Sequence, residues 1–88
     1  MLTCKIVNKD EAVTWESVKA LTVPLTSGEA SILQGHAEMF ALLAAGEISG
    51  LMHNDGKKEY QIPQGGGACH VMENMVTVIL FDEQKVVS

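Results

Sequence analysis

Ala68-Cys69-His70-Val71-Met72-Glu73-Asn74-Met75-Val76-Thr77-Val78-Ile79-Leu80-Phe81 is the stretch on which the fold turns. Two apolar runs flank Glu73-Asn74, a polar pair suited to a tight turn, and together they read as strand, turn, strand. In such a strand Cys69 and His70 point to opposite faces, so they cannot share a metal or form a nucleophile and base. Upstream, Ile48 to Met52 runs into Asn54-Asp55-Gly56, three residues that tolerate positive φ, and Tyr60 to Ile62 returns as a second hairpin. Further out, Leu2, Cys4 and Ile6 alternate with Thr3 and Lys5, and Val18, Leu21, Val23 and Leu25 with Lys19 and Thr22. Glu38 to Ala45 has helix-forming composition, but eight residues are marginal for a helix, and the run is read as a buried strand. Turn signals recur about every 8 to 12 residues. The expectation is an all-β chain: one domain over residues 1–88, a small antiparallel β-sandwich of about eight to ten short strands.

Composition bounds the function. The 88 residues are 47% hydrophobic and 19% charged. A chain this small buries about 63% of its unfolded surface, which supports a thin two-layer core without a deep cleft. Six lysines, no arginine and eleven acids give a net charge of −5. Such a chain is ill suited to neutralise phosphates, which argues against nucleic acid and anionic membranes. No apolar run reaches the roughly 18 residues of a membrane span, and no signal peptide is visible at Met1 to Lys5. Cys4 and Cys69 lie far apart without a CxxC spacing and are expected as reduced, buried thiols of a cytosolic protein.

The chemistry-bearing residues form no catalytic pattern. Gln64-Gly65-Gly66-Gly67 lacks the Lys-Ser/Thr of a phosphate loop and reads as a bulge or a close backbone crossing. His36, His53 and His70 have no i, i+4 partner and no cysteine cluster, so no metal is expected. His53 is expected to be exposed beside a turn. The serines include no G-x-S-x-G elbow, and Asp10-Glu11 and Asp82-Glu83 read as solvated turn pairs. Trp15, the only tryptophan, reads as a core anchor. His36, held between Gly35 and Ala37, reads as a ring presented for contact.

The segment Val23-Pro24-Leu25-Thr26-Ser27-Gly28-Glu29-Ala30-Ser31-Ile32-Leu33-Gln34-Gly35-His36-Ala37 resembles the epsilon subunit of F-type ATP synthases. That family shows Gly-Glu, Gly-Ile-Leu and Pro-Gly-His-Ala-Pro at this spacing. Leu42, Leu43 and Gly46 resemble its next step, and Gly66-Gly67 with Val71, Asn74 and Val76-Thr77-Val78 its Asn-x-Val-Thr-Val ending. The resemblance runs from about residue 3 to residue 82. Gln34 and Glu38 stand where the family has prolines, Ala44-Ala45 replace Lys-Pro, Gly65 replaces Ser, and His70 replaces an acid.

The resemblance implies a non-catalytic rotor subunit of the central stalk, coupling the catalytic head to the membrane c-ring. It would be a peripheral part of the complex at the cytoplasmic face of the inner (plasma) membrane. It assigns Ser27, Gly28, Glu29 and Ser31 to the c-ring, and Gly35 and His36 to the interface of the gamma subunit with the ring. No catalytic, metal, nucleotide or cofactor site is implied, because the family's C-terminal helical hairpin, which carries ATP in some members, has no matching residues here. The alternative is a stand-alone binding module of the same fold, a homodimer through sheet edges or a methionine-bearing face.

Overall fold

The computed structural model describes residues 1–52 and 59–81. Eight strands follow in chain order: β1 (Leu2–Val7), β2 (Ala12–Leu25), β3 (Gly28–Leu33), β4 (Met39–Leu43), β5 (Gly46–Met52), β6 (Glu59–Gln64), β7 (Gly67–Met72) and β8 (Met75–Leu80). No helix occurs among the described residues. The run that decided the fold forms β7 and β8, paired antiparallel from Gly67↔Leu80 to Met72↔Met75. Glu73 (φ 50) and Asn74 (φ 63) both take positive φ between them. That pairing of signs is the turn whose twist matches a two-residue hairpin. β5 and β6 pair antiparallel as the second hairpin, and its turn at Asn54-Asp55-Gly56, like His53, lies outside the described residues. Asp82-Glu83 lie outside them too.

The strand order is β1-β8-β7-β4-β2-β5-β6, with β3 on β2 and β1 also on β2. One layer is therefore β4-β7-β8-β1, the other β3-β2-β5-β6, and β2 takes part in both. Two irregularities let it do so. The register against β1 slips by one residue between Trp15 and Val18, where Ser17 has φ 57. It slips again against β5 between Val18 and Ala20. Each extra residue resets which side chains face inward, so the buried positions are Trp15, Val18, Leu21 and Val23.

The inward side chains of the two layers form one core. Leu2, Cys4, Ile6, Cys69, Val71, Val76, Val78 and Leu80 come from one layer, and Leu21, Val23, Ile32, Ile48 and Ile62 from the other. Trp15 is buried among them, as its anchor reading requires. Its ring is admitted by Gly50, where an added Cβ would stand 2.9 Å from Trp15 Cε3 and Cζ3.

Three details depart from the sequence reading. β1 and β8 run parallel, so the sheet is mixed rather than purely antiparallel. β2 is not short: its bulges bend it between layers and let it run for 14 residues. Finally, Glu38 to Ala45 holds a strand, but not a fully buried one. Leu43 faces the core while Phe40 and Leu42 face outward, and Phe40 is 77% exposed.

Candidate protein-contact site

The residues singled out by sequence lie on or beside β3. A two-residue turn, Thr26-Ser27, joins β2 to β3, with Leu25 opposite Gly28. Gly28 has φ 127, where an L side chain is strained, yet an added Cβ would meet nothing within 4 Å. The glycine is demanded by the backbone and not by crowding. From there the pleat divides β3: Ala30 and Ile32 turn toward the core, and Glu29, Ser31 and Leu33 are exposed. Among the described strands β3 pairs only with β2, which leaves its other edge open.

At the far end Leu33-Gln34-Gly35-His36 closes a turn. The His36 amide donates to the Leu33 carbonyl at 3.1 Å, and Gly35 takes φ 84 at the third position, as a type II turn requires. His36 is half-buried, and its Nδ1 lies 2.7 Å from the Ala37 carbonyl oxygen. The ring is thus fixed by its own loop. Ser27, Gly28 and Glu29 stand at one end of β3 and Gly35 and His36 at the other, about 20 Å apart at the rise of a strand. Ser31 stands between them on the outward face. The structure lines these residues along one strand and does not gather them into a pocket.

The Gly-rich segment has another role. Gly67 pairs with Leu80, and an added Cβ there would overlap the Ile79 carbonyl oxygen and stand 3.1 Å from Leu80 Cα. This is the close backbone crossing read from the sequence. Gln64 is a member of the arrangement that sequence reasoning passed over. It is only 4% exposed, and its Nε2 donates to the carbonyls of Ala44 (2.7 Å) and Gly46 (3.2 Å) while Oε1 accepts from the Gly66 amide (2.7 Å).

The outward face of β4, β7 and β8 was also missed. Phe40, Leu42, Ile79 and Phe81 are exposed there. Phe40 stacks on His70 with ring centroids 4.0 Å apart, and His70 Nε2 lies 3.0 Å from Glu38 Oε2. A shallow groove of about 250 Å³ runs between Phe40, Ala68, His70, Thr77 and Ile79. Its sign in the sequence was the unbroken apolar run 39–45, which has hydrophobic residues on both phases of the pleat.

The thiols are inert by burial. Desolvation pushes Cys69 up from 9.0 to about 11. It pushes Cys4 up to about 12, with the charge of Cys69 adding to the effect. Cys4 lies opposite Val76 and Cys69 opposite Val78, so β8 separates them. Two strand spacings, about 9.5 Å, exceed the reach of a disulfide. Among the described residues no three His, Cys, Asp or Glu converge as metal ligands.

Among the described residues the arrangement leaves the β3 edge and the outward face of β4, β7 and β8 exposed. Comparison with known proteins agrees in scale: residues 1–82 match the family model of the ATP synthase delta/epsilon chain, beta-sandwich domain. The chain belongs to this family. The ATP synthase epsilon chain of Synechocystis is 35% identical over 79 residues, which are 90% of this chain and 56% of that protein. The chloroplastic ATP synthase epsilon chain of Cyanidium caldarium is 28% identical over 97% of this chain and 62% of its own length. The chain thus spans about three fifths of such epsilon chains. A chain in the Euglena gracilis mitochondrial ATP synthase, in a structure of its OSCP, F1 and c-ring, superposes with a TM-score of 0.81 at 25% identity. The match covers 92% of this chain and 51% of that one. A chain in the Tetrahymena thermophila central stalk and c-ring structure shares the fold with a TM-score of 0.77 at 12% identity, over 92% of this chain and 63% of its own. As a delta/epsilon sandwich, the chain has no helix among its described residues long and apolar enough to cross a membrane.

Proposed function

We propose that this delta/epsilon sandwich is a non-catalytic part of the central stalk of an F-type ATP synthase, coupling the catalytic head to the c-ring during ATP synthesis and ion transport. The observation that carries the reading is the family match over residues 1–82, supported by the superposition on a chain of an assembled synthase. Ser27, Gly28, Glu29 and Ser31 contact the c-ring, and Gly35 and His36 the gamma subunit where it meets the ring. The complex holds the chain at the cytoplasmic face of the inner (plasma) membrane as a peripheral component. The exposed row along β3 suits this role. A carboxylate presented without burial can pair with basic or amide groups on a partner loop and set docking register more than affinity.

The test is co-purification of the chain with the gamma subunit and c-ring of its own organism, followed by titration of Glu29→Ala and His36→Ala. Both variants should bind more weakly by about 1 kcal/mol or more. A chain that does not co-purify with either partner overturns the reading. A second reading, a stand-alone module that pairs with its own copy, is favoured by the outward Phe40, Leu42, Ile79 and Phe81. Because a rotor subunit could also self-associate when isolated, sedimentation velocity distinguishes this reading only together with co-purification: a dimer that Phe40→Ser dissolves, from a chain that captures neither gamma nor c-ring, belongs to it.

A further inference from the structure

We propose that Asn74, in the turn between β7 and β8, is a positioning residue for the Gly35-His36 contact loop, and this rests on the loop being the contact site proposed above. In the type II turn Leu33 to His36, the first carbonyl is satisfied by the His36 amide. The amide of Gly35, at the third position, points away from that hydrogen bond and is left to pair outside the turn. Asn74 supplies the partner: Oδ1 accepts from the Gly35 amide at 2.7 Å, across 39 residues of sequence. The Asn74 carbonyl meanwhile accepts from the Thr3 amide at 3.0 Å, so this residue joins the start of β1 to the loop.

Its backbone makes the role separable from hairpin formation. Asn74 sits at φ 63, the second positive-φ position of the turn, which Gly favours as much as Asn does. Asn74→Gly therefore keeps the hairpin and the Thr3 bond while removing only the side-chain acceptor. Asn74→Asp keeps both the turn preference and the acceptor.

Amide exchange of the isolated 88-residue chain, followed by NMR, tests the positioning step without any partner. In Asn74→Gly the Gly35 amide should exchange about fivefold faster, the factor for losing one net hydrogen bond. Protection along β7 and β8 should hold. Titration with the purified gamma subunit and c-ring should then show about two- to fivefold weaker binding, as the competent loop is populated less. Asn74→Asp should restore both values. Unchanged Gly35 exchange overturns the proposal, as does an equal loss of protection throughout β7 and β8, or an Asp variant that behaves like the Gly one. Normal binding by Asn74→Gly when His36→Ala binds weakly overturns it while leaving the contact reading intact. Normal binding by His36→Ala itself removes the contact reading, and the proposal with it.

Discussion

Gly67 and Gly28 each open a strand, β7 and β3, and they are glycines for opposite reasons. At Gly67 the space is taken: a Cβ would overlap the Ile79 carbonyl oxygen on the neighbouring strand. At Gly28 the space is open and only the backbone angle, φ 127, selects glycine. The first sits in a locked interior corner with Gln64 and Gly66, the second at an exposed turn that begins the candidate contact strand. A glycine-rich stretch therefore has no single meaning. What surrounds the missing side chain decides whether it packs or presents.

The strongest way to break this contrast is Gly67→Ala. The methyl group has nowhere to go without parting β7 from β8, and the variant should lose more than about 3 kcal/mol of stability in urea unfolding. A loss below about 1 kcal/mol would mean that the corner is not locked. Alkaline pH probes the same interior through its thiols. Well below pH 9 both thiols are protonated in the folded and unfolded chain alike. Between pH 9 and about 11 the unfolded chain releases its protons while the folded one retains them, so stability falls as pH rises. The expected loss by pH 10 is about 2–3 kcal/mol, and the Cys4→Ala, Cys69→Ala double variant should flatten that slope.

Gln64→Ala should cost about 2 kcal/mol, because the carbonyls of Ala44 and Gly46 and the amide of Gly66 lose a partner in a buried corner. Calorimetry showing no change in thermal midpoint would assign those groups to solvent. Gly28→Ala probes the open position in the same way. With no clash to relieve, its cost should be that of the backbone angle alone, about 1–2 kcal/mol. A larger loss than that of Gly67→Ala would reverse the contrast. Glu29→Ala closes the series with a change in stability within about 0.5 kcal/mol by chemical denaturation, as for an exposed charge with no packing role.

Most of the fold was legible because β7, β8 and β1 obey strict alternation: Cys69 and Val71, Val76 and Val78, and Cys4 and Ile6 all face inward. β2 was partly legible. The three-residue step from Val18 to Leu21 breaks period two, and that irregularity is the signature of a bulge. The parallel pairing of β1 with β8 left no local mark, since it depends on where the first strand lies after the whole chain has folded. At the candidate site, Gly28 and Glu29 were singled out only by the family resemblance, and His36 also by its small neighbours Gly35 and Ala37. The tie from Asn74 to Gly35 was not legible, because a side-chain acceptor 39 residues away answers to tertiary placement alone. Gln64 was hidden for the same reason.

The parallel β1–β8 contact also sets a timetable for folding. Thr3 to Val7 find their β8 partners only at Met75 to Ile79. A ribosome adding about 5–20 residues per second leaves that edge of β1 waiting roughly 4–15 s for its partner. The β1–β2 hairpin can form early, yet the β4-β7-β8-β1 layer closes only after β8 is made, and β8 completes β1 and β7 together. Contacts of such high sequence separation place this small domain among slow folders, on the millisecond-to-second scale, despite its size. Until then the residue pairs that will bury Cys4 and Ile6 are incomplete, so synthesis itself is the period in which the nascent sandwich is most exposed to mispairing.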